Sequence, residues 1–123
     1  MRLRPVLLLS SPYSPVVRAG EWLVVSGQVG IRDGRLVSQG TAGQLRQAIE
    51  NLKGLLEAQG ASLGDVVKTT VFLLHMRDYA EMNETYVEAF GDHRPARSCV
   101  AVVELPVGAL VEVEAWAFVE PSR

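Results

Sequence analysis

Apolar positions recur with a period of two in some stretches of the chain and at three to four in others. In "EWLVVSGQVGI", Trp22, Val24 and Ser26 alternate with Leu23, Val25 and Gly27, which predicts a strand. Asp33-Gly34 predicts a turn, with "LVS" (residues 36–38) pairing back as a hairpin. "LLLSS" (residues 7–11) reads as a short first strand. "DVVKTTVFLLH" (65–75), "SCVAVVEL" (98–105) and "VEVEAWAFVE" (111–120) are rich in β-branched residues and predict three more strands. Gly27 and Gly30, within and at the end of the second strand, mark a bulge or a close approach by another group.

Two segments carry helical spacing instead. Leu45, Ala48, Ile49, Leu52, Leu55 and Leu56 form one stripe, preceded by a Thr41/Gln44 capping box and stopped by Gly60. "SLGD" (62–65) reads as a loop. Tyr79, Met82, Tyr86 and Phe90 form a second stripe, with Asp78/Glu81 as capping box and Gly91 and Pro95 as the close. Strands, then helix, strand, helix and two strands, with no repeat or linker, predict one domain over residues 1–123. Two amphipathic helices cover one face of the sheet, which makes the fold an α+β sandwich. In the last strand Val111, Val113, Ala115, Ala117 and Val119 suit packing under helices. Glu112, Glu114, Trp116 and Phe118 point the other way and would leave apolar surface wet in a monomer, which predicts self-association.

Composition narrows the class. At 123 residues with 48% apolar and 21% charged positions, the chain is long enough to bury a core. No apolar run approaches the roughly 18 residues of a membrane span. The N-terminal arginines and leucines lack the apolar length and cleavage site of a signal peptide, so a cytoplasmic protein is expected. A net charge of −2 with dispersed basic residues disfavours a binder of nucleic acid. One cysteine makes no internal disulfide, and His75 and His93 lack ligand spacing, so no metal is expected.

Candidate chemistry centres on "RPARSCV" (94–100). With a strand from about Ser98, Arg97 shares a face with Cys99, Ala101 and Val103 at the sheet's end, beside the association surface. Its guanidinium is a planar fork that matches a carboxylate. Arg97 is thus either an anchor for a small carboxylate ligand or half of an ion pair. Glu112 or Glu114 is either a general base holding water or a solvated or paired charge. Cys99 has no activating partner and reads as a small buried hydrophobe. Ser26 reads as a hydrogen-bond donor at a strand end. Tyr13, in "SPYSP", either closes over a ligand or caps the sheet. Asn83 interrupts an apolar stripe, and a buried amide needs a partner, here a backbone loop.

The segments "PYSPVVRAG", "VVSGQVG", "NLKGLLEAQGASLGDVVKTTVFL", "MNETYVEAF", "RPARSCVAV" and "LPVGALVEVEAWA" together resemble the Rid/YjgF family of reactive-intermediate deaminases, in collinear order from Pro12 to Ala117. The resemblance implies a chorismate-mutase-like sandwich, two helices on one face of a mixed sheet, assembled as a homotrimer with ligand sites between subunits. It implies hydrolysis of 2-imino acids, or their enamine tautomers, to 2-keto acids and ammonia without a cofactor. Arg97 would then grip the substrate carboxylate and Glu112 would place the attacking water. Tyr13, Ser26 and Gly27 would line the pocket, together with Asn83 and the backbone of Cys99. Pro15, Met76 and Arg77 depart from residues common in that family. Two alternatives share the cleft: a non-catalytic carboxylate sensor, and an endoribonuclease or translation inhibitor.

Overall fold

The computed structural model describes residues 11–120, so the first strand expected at 7–11 lies essentially outside the described residues. The strands are β1 (Val16–Ala19), β2 (Trp22–Val29), β3 (Ile31–Arg32), β4 (Arg35–Leu36), β5 (Val66–Leu73), β6 (Ala96–Ala101) and β7 (Val111–Phe118). The helices are α1 (Gly40–Ala58) and α2 (Tyr79–Phe90). Five strands form a mixed sheet in the order β1-β2-β7-β5-β6, and β3-β4 is a separate hairpin. Only β5 and β6 run parallel, with α2 as their crossover. Asp33 and Gly34 both have positive φ, 54° and 79°, which the tight turn of the β3-β4 hairpin requires.

Both helices lie on one face of the sheet, as the sequence predicts. Leu45, Ala48, Ile49, Leu52 and Leu56 of α1 and Met82, Tyr86 and Phe90 of α2 are buried. They pack with Leu23 and Val25 of β2, Val71 and Leu73 of β5, and Val111, Val113, Ala115 and Ala117 of β7. The alanines of β7 keep that strand low enough for the helices to approach. A buried Tyr86–Thr69 hydroxyl pair at 2.6 Å ties α2 to β5.

The helix ends differ from expectation in an instructive way. Gly60 does close α1: the Gly60 N–H donates to Glu57 O and the Ala61 N–H to Leu56 O, a Schellman pair. Neither expected capping box on the helices forms. Thr41 lies inside α1 and its Oγ1 donates to Asp78 at 3.0 Å, while Gln44 accepts from the Leu110 N–H at 2.8 Å. Glu81, expected to cap α2, instead accepts from the Ala42 N–H of α1 at 3.0 Å. The acidic pair of α2 therefore serves the positive end of α1. Local capping lost because the first turns of the two helices lie side by side. Residues 63–65 of the expected "SLGD" loop form a short 3-10 turn, with Asp65 accepting from the Ser62 N–H.

The other face carries Trp22, Trp116 and Phe118 as an edge-to-face aromatic cluster with centroid separations of 5.1 and 6.0 Å. Trp116 keeps 46% of its surface exposed. No described helix is long and apolar enough to cross a membrane.

Candidate functional site

Glu112 sits on the open face of β7, beside Phe72 of β5 and Val29 of β2. Between Val25 and Gln28 the β2-β7 register slips, so that Ser26 and Gly27 occupy a bulge. The bulge brings Gly27 directly under the Glu112 side chain: a Cβ added there would overlap the carboxylate. Glycine here leaves the carboxylate its place: any side chain would have to displace it. Ser26 anchors the same spot. Its Oγ donates to Ser14 O at 2.7 Å and its N–H to Pro15 O at 2.9 Å, which holds the Tyr13 segment against the sheet.

Around this carboxylate lies a cavity of about 510 Å³. Ser26, Gly27, Glu112 and Glu114 form its polar floor; Tyr13, Val29, Ile31, Pro106 and Val107 form the rest. Partial burial, and then the negative charge of Glu114, push the Glu112 carboxyl above its ordinary value. A carboxylate so placed is a better proton acceptor than an exposed one.

Arg97 lies elsewhere. It pairs with Thr69 in the parallel β5-β6 ladder, and Thr69 points to the helices. Arg97 therefore projects from the helix side of the sheet, whereas Glu112 stands on the open face. Its guanidinium stands 4.9 Å from the Tyr86 ring centre and 5.6 Å from that of Tyr79. It donates to Tyr79 Oη at 3.3 Å and to the Met82 thioether at 3.5 Å. These partners are uncharged, so among the described residues the cation is held in position without a neutralising carboxylate. Burial raises the Cys99 thiol, opposed by the Arg97 charge, and the residue packs against the core as the small hydrophobe expected. Asn83 does not line the cavity, and its buried Oδ1 has no hydrogen-bond partner among the described residues. Among the described residues the expected bond to a backbone loop is not made.

The structure thus brings together Tyr13, Ser26, Gly27 and Glu112, and sets Arg97, Cys99 and Asn83 apart from them. Thr69 and Phe72, the respective partners of Arg97 and Glu112 on β5, are an odd number of residues apart. Within one chain the two charged groups therefore face opposite ways. Further contributors lie outside the expected set. Tyr79, on the expected apolar stripe of α2, is 42% exposed and braces Arg97. Val29, Ile31, Pro106 and Val107 line the cavity. A loop ending in Gly108 immediately before the β7 glutamates was the available hint.

The helix pair on one face of a mixed sheet is the fold of solved relatives, and the family model described as endoribonuclease L-PSP matches residues 6–119. The chain belongs to this family, also called Rid/YjgF. It is 47% identical to a RutC family protein of Pyrococcus horikoshii over 111 residues, covering 89% of this chain and 88% of that one. It is 41% identical to the 2-iminobutanoate/2-iminopropanoate deaminase of Salmonella typhimurium over 111 residues, 86% of each. Among solved structures it resembles E. coli TdcF with bound serine, at a TM-score of 0.85 and 36% identity over 89% of this chain and 90% of that one.

Proposed function

We propose that the protein hydrolyses 2-imino acids to 2-keto acids and ammonia, at sites that pair Glu112 of one copy with Arg97 of another. The observation that carries this reading is the Glu112 carboxylate, seated over Gly27 in a cavity and raised in basicity. The relative named as an imine deaminase and the serine bound by TdcF support it, serine being a small molecule that carries a carboxylate.

The chemistry asks little beyond orientation. The imine carbon is already electrophilic. The Arg97 fork binds the substrate carboxylate and fixes that carbon. The imine enters protonated; Glu112 takes one proton from the water as it adds, the C=N electron pair moves to nitrogen, and a neutral carbinolamine forms. Glu112 returns that proton to nitrogen and accepts the hydroxyl proton as the C–N bond breaks. The carbonyl forms, and ammonia leaves and carries the last proton away as ammonium. Atoms and charge balance with water as the one co-reactant.

Subunit mixing tests both halves of the proposal. Arg97→Ala and Glu112→Gln should each abolish accelerated imine loss. Co-assembled in equal amounts, they should recover roughly a quarter of the parent activity, the fraction of sites that receive both native residues in a ring. No recovery would refute the shared site. Parent-like imine clearance by Arg97→Ala would refute the role of the arginine.

RNA cleavage is the second reading, favoured by the family's description as an endoribonuclease. The net charge of −2 and two carboxylates on the cavity floor oppose binding of a polyanion. RNA cleavage that survives repurification and is lost in Arg97→Ala would establish it.

A further inference from the structure

Val107 has φ 51° and ψ 26°, inside the left-handed region. A β-branched residue is a poor occupant there, since its Cβ crowds the backbone. Such strain is usually offset by burial, but Val107 is 63% exposed and is not part of the hydrophobic core. Its side chain contributes an apolar surface to the Glu112 cavity, next to Pro106. Val29 and Ile31 form further apolar wall. Asn51 of α1 donates to the carbonyl oxygens of both, at 3.1 and 2.9 Å, and so fixes their backbone. Strained backbone concentrates where a side chain is held for a ligand rather than for the fold.

We infer that Val107 is a specificity-determining residue, and that the site prefers 2-imino acids with sizeable apolar side chains over the methyl-bearing one. This rests on the deaminase reading above. With the carboxylate on Arg97 and the imine carbon facing the Glu112 water, the substrate side chain is left to the wall of Val29, Ile31, Pro106 and Val107. A methyl group covers little of that surface. An isobutyl group covers more, and the gain appears as tighter binding.

The experiment compares the imines of alanine and leucine, generated in place by an amino-acid oxidase, with the parent, Val107→Gly and Val107→Asn. Both substitutions suit a left-handed backbone, so folding is not put at risk. The parent should show the higher kcat/KM with the leucine imine. Each variant should lose roughly five- to tenfold on that imine, mostly through KM, and stay within about twofold on the alanine imine. The Val107→Asn protein should melt at or above the parent temperature. An unchanged ratio of the two kcat/KM values overturns the inference, as does a clear fall in melting temperature, which would make the side chain a support of the fold. A parent that accelerates neither imine overturns the deaminase reading itself, and this inference with it. A parent that turns over both, at a ratio the variants leave untouched, overturns this inference alone.

Discussion

Strand β7 presents two unlike surfaces one residue apart. Its helix-side residues, Val111 to Ala117 at alternate positions, are small and fully buried. Its open-side residues are Glu112, Glu114, Trp116 and Phe118, two acids and two large aromatics. The first surface is completed by the chain's own helices. The second has no such cover among the described residues. The same contrast divides the candidate site: Arg97 is braced on the helix side by side chains of α2, whereas Glu112 waits on the open side over a glycine. A fold finished on one face and unfinished on the other places half its chemistry where a second copy can reach it.

The contrast can be broken most severely at Trp116. Trp116→Glu puts a charge into the uncovered aromatic cluster and should leave the protein monomeric by sedimentation, with activity lost as well. Val87→Glu, on an exposed face of α2, should change neither. Next in size is Gly27→Ala, whose methyl group must push the Glu112 carboxylate aside. A displacement of about 1 Å at a reacting group costs on the order of 100-fold, and kcat should fall by about that much while the melting temperature holds. Initial rates of imine loss decide it.

Tyr79→Phe probes the helix side more gently. It keeps the ring beside Arg97 and removes one hydrogen bond, so KM should rise roughly two- to tenfold with kcat nearly unchanged. A matching fall in kcat would mean that the hydroxyl does more than position the guanidinium. The smallest change is Glu114→Gln. Glu112 acts as a base only when ionised, so the rate rises with pH through its raised pKa. Burial is the larger cause of that rise and Glu114 the second. Removing the Glu114 charge lowers the pKa, and the acid limb of kcat/KM should move to lower pH with little change in its plateau. A limb that stays in place would show that burial alone sets it.

The helix-side surface was legible because burial there is satisfied by the chain itself: an apolar stripe at helical spacing has one solution. The alternation in β7 was equally clear. The face chosen by Arg97 was not. In "ARSCVA" Ala96, Ser98 and Val100 alternate with Arg97, Cys99 and Ala101, and neither set is a run of large apolar residues, so the pattern does not say which set meets the helices. The parallel register with β5 decides it, and a slip of one residue would reverse every side chain. The bulge at Ser26-Gly27 was half legible, since glycine announced a close approach but not that a carboxylate made it. Val107 left no trace in the pattern, because nothing in a valine forecasts a left-handed backbone.

The crossed bonds between the helix starts have a consequence for motion. Thr41 and Asp78 are 37 residues apart, and Ala42 and Glu81 39 apart, yet each pair is joined. The first turns of α1 and α2 are thus tied to each other and are expected to open together. A transient loosening of α2 would unprotect the Ala42 amide and disturb the brace on Arg97 in the same event. Hydrogen exchange at that amide of α1 would thus report how firmly a guanidinium held by α2 is kept in place.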